Sequence, residues 1–374
     1  MIFRWIIVAR HIIFIIGDMK MNLRTLLYPF SLVYGFGVRF RNRMYDKKVF
    51  RSVSFDLPVI CIGNLSVGGT GKTPMAEYLI RILETKFKVA VLSRGYKRKT
   101  NGFLIADENV GVSEIGDEPM QIHRKFPGVA VAVARERVIG IPQLLYSVPD
   151  LNVIILDDAF QHRMVRAGLN ILLTAFDNLF TRDQLLPAGN LRDSKSSKNR
   201  ADIVVVTKCD PQLSQQQASE IQSELVLHPN QEIYFATLKY DDPVHLFNKS
   251  AIRLSDNLNV LIVCGIADPS PLLKELRNYT HLSDLIQFRD HHNFRDRDIK
   301  KIKERFEKMG GTNKILLTTE KDAVRLEKFK DDLKGMPVYV WPVRHEFLFS
   351  SNSSFEDKIL KYVSTYQSGS GKIE

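Results

Sequence analysis

The sequence predicts an α/β protein: a mostly parallel sheet covered on both faces, a second, smaller α/β domain after it, and a basic helical segment before it. Three observations carry this. Strand-length apolar runs alternate with polar or helical stretches, at Val59–Ile62, Val89–Leu92, Val129–Val133, Val153–Leu156, Ile171–Thr174 and Ile203–Val206. Such alternation implies βαβ units and strands buried on both sides. The pattern pauses at Tyr240-Asp241-Asp242-Pro243, then restarts with Val260–Cys264, Ile315–Thr318 and Val338–Trp341 and helical stretches at Pro271–Asn278 and Asp296–Met309. Lastly, 374 residues exceed the roughly 250–300 at which a single core stops growing. The expected boundaries are 1–52 for the basic segment, 53–245 for the main domain and 246–366 for the smaller one, with a Ser/Gly tail, 367–374, expected to be disordered.

The main domain is organised around Ile60-Cys61-Ile62-Gly63-Asn64-Leu65-Ser66-Val67-Gly68-Gly69-Thr70-Gly71-Lys72-Thr73-Pro74. A buried strand leads into a glycine-rich turn, and Met75–Leu83 follows as a helix. Phosphate needs this arrangement. Glycines let backbone N–H groups approach its oxygens, the helix N-terminus adds positive potential, and a lysine adds a full charge. Ser66, Val67, Gly68, Gly69, Thr70, Gly71, Lys72 and Thr73 are therefore the candidate nucleotide-phosphate residues, with the Thr73 hydroxyl on Mg²⁺. Ser66 stands where the usual G-x-x-x-x-G-K-[ST] pattern has its first glycine. The expected fold is of the P-loop NTPase type.

Downstream, Val153–Leu156 ends in Asp157-Asp158, the form of a Walker B strand that holds Mg²⁺ opposite the lysine and Thr73; which acid binds the metal directly stays open. Thr207-Lys208-Cys209-Asp210 has the form of the element with which GTPases grip guanine, or is a plain strand exit. Gly116-Asp117-Glu118-Pro119 and Asp290-His291-His292 are polar clusters that would not stand out alone. No Cys/His set has zinc spacing, and three scattered cysteines (Cys61, Cys209, Cys264) point to reduced thiols in a cytoplasmic chain.

Hydrophobic and charged content are ordinary, but the net charge is +11 with a pI near 9.4. Ten Lys/Arg against Asp18 and Asp46 put +8 of that charge before Val53. An excess gathered at one end points to an anionic surface, phospholipid or nucleic acid. Residues 1–17 are Ile-rich but broken by Arg4, Arg10 and His11, too short a run for a spanning helix or signal core, and Met19 and Met21 are alternative starts. From Leu23 to Tyr45, Val33, Phe36, Phe40 and Met44, and Phe30, Tyr34 and Val38, recur at helical steps ahead of Arg39, Arg41, Arg43, Lys47 and Lys48. That suits an interfacial helix or one packed on the protein's own core, although Pro29, Gly35 and Gly37 argue against one long regular helix.

Taken in order, the phosphate loop Gly63–Pro74, Leu92-Ser93-Arg94-Gly95-Tyr96, Gly116–Pro119, Asp157–His162, Leu186-Pro187-Ala188-Gly189-Asn190-Leu191-Arg192-Asp193, Gly265–Pro269, Asp290-His291 and Thr318–Leu326 resemble the tetraacyldisaccharide 4′-kinase family, the lipid A 4′-kinases. The resemblance runs from about Leu23 to about Pro342. Ala159 stands where the family usually has Gly, and Asp193 where it usually has Glu.

The resemblance implies transfer of the γ-phosphate of ATP, with Mg²⁺, to the 4′-hydroxyl of a tetraacyldisaccharide 1-phosphate, giving lipid IVA. It also implies a peripheral protein on the cytoplasmic face of a Gram-negative inner membrane, with an anionic lipid surface as partner and the N-terminal helix resting on it. Lys72 would hold the β- and γ-phosphates, Asp117 would accept the hydroxyl proton with His291 assisting, and Arg192 would be a second positive contact. A monomer that binds no nucleic acid is expected. Val67 stands where partitioning-type ATPases carry a lysine, and the basic segment has no nucleic-acid reading motif.

Overall fold

The computed structural model describes residues 24–281 and 283–368. The readings of residues 1–17, Met19 and Met21 lie outside them, as does the tail expected over 367–374, except for Gln367 and Ser368, which close the last helix. In chain order come α1 (Tyr28–Asp46), β1 (Val59–Asn64), α2 (Lys72–Leu83), β2 (Val89–Ser93), β3 (Leu104–Ile105), α3 (Asp117–Lys125) and β4 (Ala130–Val133). Next are α4 (Arg137–Ser147), β5 (Val153–Leu156), β6 (Leu169–Ala175), β7 (Ile203–Thr207), α5 (Gln215–Leu225), β8 (Glu232–Tyr240) and β9 (Val244–His245). Then follow β10 (Asn259–Cys264), α6 (Ser270–Leu276), β11 (Ser283–Gln287), α7 (Asp296–Lys308), β12 (Lys314–Thr319), α8 (Glu320–Leu326), β13 (Val338–Trp341), β14 (Val343–Phe347) and α9 (Asn352–Ser368).

Contacts divide the chain into two compact units. The first joins the described parts of Met1–Lys72 and Phe347–Glu374 to Asp150–Thr237. In it β5, β1, β6, β7 and β8 lie side by side, every neighbouring pair parallel. Their sequences are continuous apolar runs because both faces are covered: all six residues of β1 and all five of β7 are buried. The last helix, α9, belongs here too. Its Tyr362 hydroxyl bonds both the N–H and the carbonyl of Val59 at 3.2 Å, anchoring it to the start of β1.

The second unit joins Thr73–Pro149 to Leu238–Glu346. It holds the parallel pair β2–β4 with β3 antiparallel beside β4, and a separate sheet in the order β11-β10-β12-β13-β9, parallel except for β9. Helix α7 shows why its segment is helical: Ile299, Ile302 and Phe306 recur at three- and four-residue steps and are buried against Leu261, Val263 and Leu316. Helix α8 starts where Thr319 Oγ1 caps the Asp322 N–H at 3.2 Å.

Every strand read from the sequence is present to within two residues. Strands β3, β8, β9, β11 and β14 and helix α9 were not anticipated; β14 is partly exposed and lacks a continuous apolar run. Helix α1 is a further difference, since it runs unbroken through Gly35 and Gly37. Pro29 sits in its first turn, where no N–H partner is needed. No helix among the described residues is long and apolar enough to cross a membrane.

Candidate active site

The first unit carries the phosphate loop. β1 ends at Asn64, and α2 starts at Lys72, so the first N–H groups of that helix have no intrahelical acceptor. Gly68 (φ 114°) and Gly71 (φ 79°) take left-handed conformations that a side chain would strain. A Cβ on Gly68 would meet nothing within 4 Å, so the loop opens onto space a ligand can fill. Thr207 Oγ1 donates to the Thr70 carbonyl at 2.9 Å, and Lys208 Nζ lies 3.8 Å from where a Cβ on Gly69 would be. The Thr207–Asp210 element thus braces the phosphate loop.

Lys72 Nζ donates to Asn64 Oδ1 at 3.3 Å and lies 3.7 Å from Asp158 Oδ1. Arg192 reaches the same two residues, with both terminal nitrogens on the Asp158 carboxylate and one on Asn64 Oδ1 at 2.5 Å. Two cations therefore converge on one acid beside the loop. Asp157, at the end of β5, is 2% exposed. Asn64 Nδ2, Thr70 Oγ1 and Arg192 Nε are buried without a hydrogen-bond partner among the described residues. Such groups cost free energy unless a ligand or water completes them. A triphosphate fits this setting. No group of three or more His, Cys, Asp or Glu side chains among the described residues could hold a metal alone. Asp157, Asp158 and Thr73 offer oxygen donors of the kind Mg²⁺ takes together with phosphate oxygens.

The second unit carries the acid–imidazole pair. Asp117 opens α3 after Gly116, and its Oδ2 lies 2.6 Å from His291 Nδ1. Arg325 Nε donates to Asp117 Oδ1 at 2.7 Å while its Nη2 bonds Oδ2, and its Nη1 donates to Asp322 and the His292 carbonyl, each at 3.2 Å. Burial acts to raise the Asp117 carboxyl. Hydrogen bonds from His291 and Arg325 and the Arg325 charge outweigh it and hold the group well below the usual carboxylate range. Lys321 Nζ lies 2.9 Å from His291 Nε2. Arg325 Nη2 also lies 3.2 Å from His291 Nδ1, so the ring nitrogen that meets the Asp117 carboxylate meets a cation as well. The Tyr96 ring meets the imidazole edge-on at 5.3 Å.

Beside this pair, Lys125 of α3 bonds Glu77 of α2 at 2.6 Å and also Glu320 of α8, while Gln121 donates to Glu77 at 2.7 Å. Burial, then the Glu77 charge, pushes Glu320 up to about 7, against the pull of Lys125. A raised folded-state value favours the protonated form, so this contribution to stability is full below the unfolded value near 4.5 and is lost as pH rises through about 7. The stability of Glu320→Gln relative to wild type is expected to rise between those pH values, by on the order of 2–3 kcal/mol. Urea unfolding at pH 5 and pH 8 measures it; a difference that does not change with pH would remove the effect.

The sequence reading named Lys72, Asp117, His291 and Arg192 but assigned nothing to Arg325, Lys321, Asn64 or Lys125. The first two lie in Thr318–Leu326, a motif quoted without a role.

Comparison with known proteins decides the family. The sequence model described as Tetraacyldisaccharide-1-P 4'-kinase matches residues 23–364. The chain belongs to that family. A tetraacyldisaccharide 4'-kinase of Bacteroides thetaiotaomicron is 46% identical over 352 residues, covering 90% of this chain and 92% of that one. One from Parabacteroides distasonis is 45% identical over 363 residues, 93% and 97% of the two chains. Among solved structures, the "apo" form of LpxK from Aquifex aeolicus in complex with ATP aligns with a TM-score of 0.71 at 28% identity, over 91% of this chain and 99% of that one. Relatives of the tetraacyldisaccharide 4'-kinase family thus share nearly the whole length and the α/β fold of this chain.

Proposed function

We infer that the chain is a kinase that transfers the γ-phosphoryl group of ATP to the 4′-hydroxyl of a tetraacyldisaccharide 1-phosphate, a step in lipid A synthesis. Family membership over residues 23–364 carries this, and the open loop flanked by Lys72 and Arg192 suits it. The bond from the γ-phosphorus to the β,γ-bridging oxygen breaks, a bond to the 4′-oxygen forms, the hydroxyl proton leaves, and ADP departs. Residues 66–73 cradle the phosphates, with Lys72 and Arg192 offsetting charge as it develops. Asp157, Asp158 and Thr73 would hold Mg²⁺, which neutralises phosphate charge. Asp117 and His291 take the hydroxyl proton as a pair. A carboxylate held so low by His291 and Arg325 keeps a proton poorly alone, and the imidazole hydrogen-bonded to it can carry the charge. Incubating the purified protein with Mg-ATP and a disaccharide 1-phosphate lipid tests the reading; no phosphorylated lipid would refute it.

The same reading makes the protein peripheral, on the cytoplasmic face of the inner membrane, where ATP and a lipid substrate meet. Helix α1 supports it. Phe30 (64%), Val33 (73%), Phe36 (70%) and Phe40 (53%) are exposed on it, whereas Ser31, Gly35 and Asn42 are buried. An exposed apolar stripe with Arg39, Arg43, Lys47 and Lys48 near its end suits an anionic bilayer surface. Replacing Phe30, Val33, Phe36 and Phe40 by Ser should release the protein from anionic vesicles. It should raise KM for micellar substrate about tenfold, and leave kcat on a dispersed short-chain analogue within about twofold. Unchanged vesicle binding would return α1 to a purely internal role.

A further inference from the structure

The inward face of α1 is polar, and its bonds end on the segments that border the phosphate loop. Arg24, just ahead of the helix, donates to the Gly189 carbonyl at 2.6 Å and to Asn190 Oδ1 at 3.1 Å. Ser31 Oγ accepts the Ala188 N–H at 2.9 Å, the Tyr34 hydroxyl donates to the Arg192 carbonyl at 3.0 Å, and Arg41 donates to the Gln161 carbonyl at 2.7 Å. Gly35 permits the approach: a Cβ there would lie 2.7 Å from Leu185 Cδ1.

What α1 grips is an extended segment bridged to the phosphate loop. Leu191 pairs antiparallel with Ser66; Arg192 N–H donates to the Leu65 carbonyl and Val67 N–H to the Asn190 carbonyl, both at 2.8 Å. From this segment Arg192 reaches Asp158 and Asn64. Its neighbour Asp193 is 1% exposed and accepts from Asn42 Nδ2, Ser197 Oγ and Ser194 N–H, each at 2.8 Å, and from Arg200 at 3.0 Å. A carboxylate buried so deeply depends on those donors, so the loop's conformation is tied to Asn42.

We propose that Asn42, with Tyr34 about two turns before it on α1, is a positioning residue for phosphoryl transfer: through Asp193 and the Arg192 carbonyl, α1 sets the aim of the Arg192 guanidinium. The inference rests on the role of Arg192 given above. It makes the helix proposed for membrane contact also a determinant of rate, and it gives Asp193, whose shorter arm departs from the family pattern, a definite task.

A mutant cycle on the full-length protein, with Mg-ATP and a dispersed short-chain disaccharide 1-phosphate, tests it. Asn42→Ala should lower kcat about tenfold while KM for both substrates and binding to anionic vesicles stay within about twofold. In an Arg192→Ala background, adding Asn42→Ala should change kcat by less than about twofold, because the group it aims is gone. Tyr34→Phe, which removes one hydroxyl, should lower kcat about threefold and likewise lose its effect beside Arg192→Ala; it carries the test if Asn42→Ala fails to fold. Losses that multiply with that of Arg192→Ala, or wild-type kcat in both Asn42→Ala and Tyr34→Phe, overturn the proposal alone. Wild-type kcat in Arg192→Ala overturns the reading of Arg192 and this inference with it.

Discussion

A Lys72→Ala protein is expected to fold and to be nearly inert. Its ammonium lies 3.3 Å from Asn64 Oδ1 and 3.7 Å from Asp158 Oδ1. Removing it leaves Asp158 still paired with Arg192, so no carboxylate loses its last partner. The partly exposed pair is worth about 1 kcal/mol or less to stability. The charge it presents to a transferring phosphoryl group is worth far more, since stabilisation there acts where negative charge builds up. A loss on the order of 4 kcal/mol or more, roughly a thousandfold in kcat, should follow. Thermal unfolding and steady-state phosphorylation of the same preparation check both halves. A folded Lys72→Ala protein with wild-type activity would end the kinase reading of this loop.

The second large effect concerns Asp117 and His291. If they handle the hydroxyl proton as one unit, Asp117→Asn and His291→Ala should each lower kcat by about a thousandfold, and the double mutant should be little slower than the poorer single. Asparagine is the sharper replacement because Asp117 also pairs with Arg325, which is 5% exposed. Alanine would leave that buried guanidinium with Asp322 as its one ion-pair partner among the described residues and so cost stability on the order of 3 kcal/mol, mixing folding with chemistry. ATP affinity should barely move, since neither residue belongs to the phosphate loop. Multiplicative losses, or weakened ATP binding in Asp117→Asn, would dissolve the pair and leave phosphoryl transfer to positioning and metal.

How much of this was legible follows from where the information sits along the chain. The phosphate loop is one contiguous stretch: strand, glycine turn, lysine and helix are neighbours in sequence, and each has a local signature. The tandem acids after β5 are equally local. Strands buried on both faces announce themselves as apolar runs, whereas β14, in which Arg344, His345 and Glu346 separate two apolar ends, does not.

The sequence by itself thus determined the alternating α/β order, the strand, glycine turn and helix around Lys72, the strand that ends just before Asp157 and Asp158, and, through its ordered motifs, the family to which the chain belongs. Only the tertiary structure decided that Thr73–Pro149 clusters with Leu238–Glu346, that Arg325 sits on Asp117 208 positions away, and that Asn42 holds Asp193 across 151. Such pairs leave no local periodicity, since an ion pair needs only the right two groups and any length of chain between them. The orientation of α1 was hidden for a related reason. Helical spacing shows that a stripe exists but not which side packs, and here close approach at Gly35, hydrogen bonds donated by Tyr34 and Asn42 and one accepted by Ser31 turn the polar side inward and leave Phe30, Val33, Phe36 and Phe40 outside.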